Sequence, residues 1–167
     1  MDHRPISLSL LVLALVPSAA AGAVVPGKGM LGIEVGMTRA QVIAAAGGPT
    51  SSGERPDPIT GSHTQLYYAR PAVRVIMHSG SQGELEVSSV STRRGRERTA
   101  RGIGVGSSER ALRASLSGER CRTYRYGGVA SRQCWLGSYR PGTLTTAFAI
   151  APRTRIVTAI SIGIVID

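Results

Sequence analysis

Laid over itself with position 32 on position 102, the chain lines up without a gap. "GIEVGMTRAQV" at 32–42 falls on "GIGVGSSERAL" at 102–112, Arg70-Pro71 on Arg140-Pro141, and "VSSVS" at 87–91 on "VTAIS" at 157–161. Leu66 meets Leu136, and Ala44, Gly48 and Ser91 meet Ala114, Gly118 and Ser161. Landmarks at the start, middle and end that hold one offset point to an internal duplication. No other feature constrains the fold as much, because whatever one unit builds the other is expected to build again. The expected units are 22–92 and 102–167, joined by an arginine-rich linker at 93–101.

The glycines of the second unit, Gly102, Gly104 and Gly106, look at first like a phosphate-cradling loop. In the first unit the middle glycine is Glu34, a carboxylate that would repel phosphate. The spacing is G-x-G-x-G, and no Gly-Lys-Ser/Thr follows. Both units keep a glycine just before a helix N-cap: Thr38 with Gln41 fits a capping box, and Ser108 with Glu109 fits a cap with a favourable first-turn charge. Short helices are expected at about 38–46 and 108–117, with Val42/Ala46 and Leu112/Leu116 stacked at i, i+4 and Gly47-Gly48-Pro49 and Gly118 as stops. Strands are expected at 64–70, 72–78 and 85–91, then at 121–126, 129–136, 143–150 and 155–166. In the last, Ile156, Ile160, Ile162, Ile164 and Ile166 mix with small residues, so one face suits a covering helix and the other lies nearly flat. A helix followed by an antiparallel meander, twice, predicts an α+β fold. Its helices would lie on one face of an antiparallel sheet that the two units could share as one continuous surface.

Residues 1–21 read as a secretory signal peptide: Arg4, an apolar stretch from Ile6 to Val16, then Ala19 and Ala21 in an A-x-A arrangement. An uncleaved anchor is the alternative, although a spanning helix takes about 20 apolar residues. No cysteine stands near the cleavage site to take a lipid. A secreted, periplasmic or extracellular chain with no membrane span after cleavage is therefore expected. Cys121 and Cys134 are its only cysteines. Gly127-Gly128 reads as a two-residue hairpin turn that pairs Tyr126 with Val129 and brings the two cysteines face to face, so a disulfide is expected. A zinc or nucleophilic thiol site lacks further ligands at the right spacing.

Enzyme constellations are poor. There is no G-x-S-x-G, no H-E-x-x-H, and no serine three residues before Lys28, the only lysine. His63, in an expected loop, and His78, at a strand end, read as surface residues. Glu84 and Glu86 share one strand face and read as solvated. No catalytic residue, metal site or cofactor is expected.

The chain carries a net charge of +10, which favours anionic partners such as envelope polymers, lipid headgroups, nucleic acid or acidic proteins; nothing points to specific nucleic-acid recognition. Two surfaces invite a partner. Arg93, Arg94, Arg96, Arg98 and Arg101 form a candidate anion-binding run, or else a solvated linker. Tyr67, Tyr68, Tyr124, Tyr126, Trp135 and Tyr139 match binding hot spots in composition and equally match core positions. In the hairpin, Tyr124, Tyr126 and Trp135 face away from the disulfide.

"GIEVGMTRAQVIAAAGGP" resembles the start of the repeat in the superfamily of BamE (SmpA/OmlA) lipoproteins and the β-lactamase inhibitor protein. Ile33, Gly36, Met37, Thr38, Gln41, Val42, Gly48 and Pro49 fit, as do Ile103, Gly106, Ser107, Ser108, Leu112 and Gly118. The resemblance covers 32–49 in the first unit and 102–118 in the second. A tandem pair looks more like the inhibitor, whose concave sheet grips its target, and implies a secreted non-catalytic protein-binding module with an unidentified protein partner. Binding of anionic envelope polymers through the arginine run is the alternative. The chain departs from the family in three ways. It lacks the lipidated cysteine of BamE, Ser51 and Thr64 stand where a disulfide in the first unit would be, and its loop at 79–84 offers only Glu84 as an acidic group. Lactamase inhibition does not carry over.

Overall fold

Over Val73–Ser79 the side chains alternate, with Val73, Val75 and Met77 buried and Arg74 exposed. This two-residue period, which puts alternate side chains on opposite faces of a strand, organises most of the molecule. The computed structural model describes residues 23–57, 61–68, 72–80 and 83–166. The expected signal peptide and the Arg70-Pro71 landmark lie outside the described residues.

Three short strands open the described chain, β1 (Ala23–Val25), β2 (Gly29–Met30) and β3 (Ile33–Glu34), followed by helix α1 (Arg39–Ala46). A meander follows: β4 (Ser51–Asp57), β5 (Gly61–Tyr68), β6 (Val73–Ser79) and β7 (Leu85–Thr92). After β8 (Arg98–Thr99) and helix α2 (Glu109–Ser115) comes a second meander, β9 (Arg120–Tyr126), β10 (Val129–Gly137), β11 (Leu144–Ile150) and β12 (Val157–Ile164). The meanders join at their last strands into one antiparallel sheet of order β4-β5-β6-β7-β12-β11-β10-β9. The seam pairs Ile160 with Thr92, Ser161 with Ser91, Ile162 with Val90 and Gly163 with Ser89.

One face of this sheet carries the core. Leu66, Val75, Val90, Ile160, Ile162, Phe148 and Cys134 pack in a single cluster with Val42 of α1, Leu112 of α2, and Val24, Met30 and Ile33 of the small strands. The small strands form their own sheet, β3-β2-β1-β8, in which β1 pairs in parallel with β8. The 93–101 segment is thus tied in at its C-terminal half, where Glu97 is 2% exposed and Thr99 is buried.

The structure corrects the expected α+β class of two tandem helix-plus-meander units. The described residues are mainly β, built on the eight-stranded sheet, and helix among them amounts to one segment of eight residues and one of seven. The physical reason lies in the helices themselves. In α1 only Val42 is buried, and in α2 only Glu109 and Leu112. About two turns with one apolar anchor each make no layer, since helical stability comes chiefly from packing a continuous apolar stripe. Much of the cover on the core face is strand.

The helix caps are those expected. Thr38 and Gln41 form a reciprocal capping box, and the Ser108 hydroxyl accepts from the Ala111 N–H. The glycines before them are needed for their backbone: Gly36 and Gly106 have φ of 89° and 90°, in the left-handed region that favours glycine. Gly36 N–H donates to the Val87 carbonyl and Gly106 N–H to the Val157 carbonyl, both at 2.8 Å. Val87 and Val157 return the bond to Met37 and Ser107 at 2.8 and 2.9 Å. The two sets of contacts fall about 70 residues apart and clamp each helix entry to the innermost strand of its meander.

Gly163 sits where the seam strands approach most closely. A Cβ there would lie 2.5 Å from the Ser89 Cβ and 2.8 Å from the Ser88 carbonyl oxygen. Gly163→Ala is expected to cost about 1–3 kcal/mol, the usual range for overpacking, and to lower Tm by several degrees. Ser89→Gly in the same chain should recover part of the loss, measured by thermal unfolding of both variants.

Candidate functional site

Residues that alternate with the core strand by strand line the opposite face of the sheet. Across all eight strands they form one row of register partners: Ser51, Tyr67, Arg74, Ser91, Ser161, Ala147, Trp135 and Arg120. A second row runs beside it through Gln65, Ile76, Ser89, Gly163 and Thr145. None of these residues belongs to the core cluster. At the seam the floor is small and polar (Ser89, Ser91, Ser161, Gly163), and bulky side chains stand on both flanks.

The flanks differ in chemistry. On the β4–β7 side, a concavity of about 350 Å³ is lined by Ser51, Ser52, Gly53, Arg55, Gln65, Tyr67 and Arg74. Its neighbour of about 250 Å³ shares Tyr67 and Arg74 and adds Ala72, Ser91, Thr92, Arg93 and Arg94. On the β9–β12 side, a concavity of about 210 Å³ is lined by small residues of the floor together with Tyr139, Ile164 and Ile166. The first two concavities are basic and the third is aromatic and aliphatic, with Arg120 and Arg122 beyond it on the outer strand β9.

The aromatic residues expected to bind a partner divide between the two faces. Tyr67 and Tyr124 are partly exposed on the uncovered face, and the Arg122 guanidinium lies 5.7 Å from the centre of the Tyr124 ring. Tyr139 is 49% exposed, and its ring centre is 5.4 Å from that of Trp135, which is itself only 9% exposed. Trp135 is therefore a covered support for Tyr139 more than a free contact. Tyr126 pairs with Val129 beside the turn, as expected. Tyr68 lies on the core face, where its hydroxyl donates to the Gly47 carbonyl at 3.2 Å. Burial raises its pKa, and the Arg39 charge works in the other direction.

The five arginines of 93–101 also divide. Arg93 and Arg94 turn into the basic concavity. Arg98 donates to the Gly102 carbonyl and the Ser107 hydroxyl, and Arg101 to the Ser115 carbonyl, so these two brace the entry and exit of α2. Arg96 is exposed. Arg55 and Arg74, which complete the basic flank, were not singled out from the sequence. Strand period finds Arg74, between buried Val73 and Val75, whereas Arg55 is placed only by the pairing of β4 with β5.

His63, expected in a loop, is in β5 beside His78 of β6, with ring centres 5.5 Å apart. The Ser88 hydroxyl lies within hydrogen-bond distance of both the Ile76 carbonyl, at 3.1 Å, and His78 Nδ1, at 2.8 Å. Glu84 is exposed in the turn before β7, whereas Glu86 is within the strand.

Cys121 and Cys134 are register partners on β9 and β10, joined by a disulfide, with Cα atoms 4.0 Å apart. The Glu109 carboxylate lies close to both sulfurs. It accepts from Nε and Nη2 of Arg132 and from Nη1 of Arg155, the last at 2.9 Å. Two guanidiniums and two bridged sulfurs make this group a poor fit for a cation, which would need thiolate ligands and a free carboxylate. The Arg132 hydrogen bonds, aided by both arginine charges and opposed by burial, hold the Glu109 carboxyl below the usual glutamate range. No helix among the described residues is long and apolar enough to cross a membrane.

No protein-family model and no curated protein matches the chain. Among solved structures, it is similar to an extracellular protein containing a SCP domain from Bacillus anthracis. The TM-score is 0.51 at 10% identity, covering 77% of this chain and 43% of that one. A cysteine-rich secretory protein from Staphylococcus aureus is matched at 11% identity with a TM-score of 0.43, covering 78% and 44%. The chain thus spans less than half the length of either. The first likeness shows fold alone.

Two predictions come from the Glu109–disulfide cluster. Glu109→Gln should destabilise by roughly 1–3 kcal/mol at neutral pH, because it weakens partly buried charged hydrogen bonds. A lowered carboxyl pKa means that this contribution is complete above the ordinary glutamate range and fades as pH falls through the lowered value. The variant should therefore show a flatter acid limb in a pH series of denaturant midpoints. Cys121→Ser/Cys134→Ser should cost about 3 kcal/mol by the loop-entropy argument, and its Tm should not respond to reductant while that of the parent falls.

Proposed function

We propose that this chain is a secreted, non-catalytic module that binds a protein on the uncovered face of its eight-stranded sheet. The observation that carries the reading is the row from Ser51 to Arg120, with a small-residue floor between two bulky flanks. Exposed Tyr139, Ile164 and Ile166 line a concavity with Ser89, Ser161 and Gly163 of that floor, and exposed Tyr67 lines one with Ser91. Clustered apolar and aromatic exposure rimmed by polar residues is typical of protein-binding surfaces, and tyrosine and arginine are enriched where binding energy concentrates.

Secretion is supported by the signal-like residues 1–21 and by the disulfide, which persists in oxidising compartments. The non-catalytic part of the reading rests on the sequence, which carries no G-x-S-x-G or H-E-x-x-H constellation. The resemblance of 32–49 and 102–118 to the BamE and β-lactamase inhibitor repeats adds to the reading, since the inhibitor too grips its target with a sheet.

The test fills the floor. Ser161→Trp should abolish stoichiometric capture of a protein from the producer's envelope and secreted fractions, and Tyr139→Ala should weaken it by at least fivefold. Both variants should keep the parent's Tm within a few degrees. Arg110→Glu, on exposed α2, should capture normally. Unchanged capture by a folded Ser161→Trp would overturn the reading, as would equal loss in Arg110→Glu.

A further inference from the structure

We propose that the basic end of the uncovered face receives an acidic segment of the protein partner, with the Arg74 guanidinium as the central anchor for its carboxylates. This rests on the protein-binding reading and adds the chemistry of the partner to it. Arg74 lines both concavities on the β4–β7 side; Arg55 lines the first, and Arg93 and Arg94 the second. Each concavity is a few hundred cubic ångströms, ample for a carboxylate side chain and its backbone.

Charge pairing sets these arginines apart from three others, and their place together at two adjoining concavities is what singles them out among the unpaired ones. Arg113, Arg132 and Arg155 each sit within ion-pair distance of a glutamate. Among the described residues, no carboxylate is within that distance of Arg55, Arg74, Arg93 or Arg94. Like charges collected in a concave, protein-walled cleft focus their field outward and raise the local concentration of anions. Guanidiniums match carboxylates through paired N–H donors. The hydroxyls of Ser51, Ser52 and Ser91 and the Gln65 amide add neutral hydrogen-bonding groups.

A folded acidic partner suits the site better than a thin anionic polymer. The second concavity shares Ser91 with the seam, and from there the floor continues to Ser161 and Gly163, beyond which Tyr139, Ile164 and Ile166 stand. An occupant anchored at Arg74 therefore meets a broad flat surface on one side. A folded protein with an acidic loop covers both, whereas a polymer chain would use only the charges.

The test titrates the intact secreted protein by calorimetry at low salt with a capped peptide of alternating glutamate and serine. Poly(glycerol phosphate) serves as the competing anion. Arg74→Gln and Arg93→Gln/Arg94→Gln should each weaken peptide binding at least fivefold, and Arg74→Lys should recover only part because it keeps charge without the paired donors. Arg110→Gln, which removes the same charge from α2, should bind like the parent. Equal weakening in Arg110→Gln would overturn the proposal, because binding would then track bulk charge. Binding of poly(glycerol phosphate) through these arginines without binding of the peptide would overturn it in favour of a polymer. If the peptide fails to bind while Ser161→Trp still abolishes protein capture, this inference falls and the protein-binding reading stands. If Ser161→Trp also leaves capture intact, both fall.

Discussion

The pairing of β7 with β12 is the constraint on which the rest of the structure depends. Only four register pairs, from Ser89–Gly163 to Thr92–Ile160, join two four-stranded meanders into one sheet. Without them each meander would expose a long hydrophobic edge, the arrangement that natural sheets avoid. The same pairs decide both faces. Val90, Ile160 and Ile162 point into the core, and Ser89, Ser91, Ser161 and Gly163 point out. Gly163 allows the strands to approach where even a methyl group would collide with backbone.

The two meanders behave alike in the core and differently on the open face. Val42 and Leu112 both anchor a helix, and Val87 and Val157 both exchange backbone bonds with the segment before it. Outside the core the correspondence breaks. Counted outward from the seam, Arg74 of β6 has Ala147 of β11 as its counterpart, and Tyr67 of β5 has Trp135 of β10. A packed interior tolerates little change in volume, whereas exposed strand positions are free to diverge. Two similar meanders thus yield one face with two chemically distinct ends.

Much of this was legible in the sequence where local chemistry and strand period agree. The Gly127-Gly128 turn sets the β9–β10 register and thereby the disulfide, and both N-caps follow from single hydroxyl side chains. The weight of the helices was not legible, because i, i+4 spacing of Val42/Ala46 and Leu112/Leu116 says that a helix can dock and not how much it covers. β4 was missed because "SSGERPD" has no apolar alternation and contains Gly53 and Pro56. Its place opposite β9 in the repeat alignment was the available signal. Tyr67 and Tyr68 could not be told apart by composition, since adjacent strand residues face opposite ways and only the register says which is inward. The arginine run could not be divided either, because Arg98 and Arg101 are taken up by backbone carbonyls and a hydroxyl that only the fold brings near.

The sheet's free edges bear on how a partner approaches. β4 and β9 are the outermost strands, and an extended peptide could in principle add to either. Pro56 removes a donor from β4, and Arg120, Arg122 and Arg125 place three positive charges along β9; proline and charge are the usual means by which an edge resists strand addition. The seam lies at the middle of the sheet and has no edge to offer. The protected edges and the small-residue floor therefore favour the same approach, side chain against side chain on the open face. Under the proposed protein-binding reading, the basic and aromatic flanks would orient the partner and the sheet's backbone would take no part in recognition.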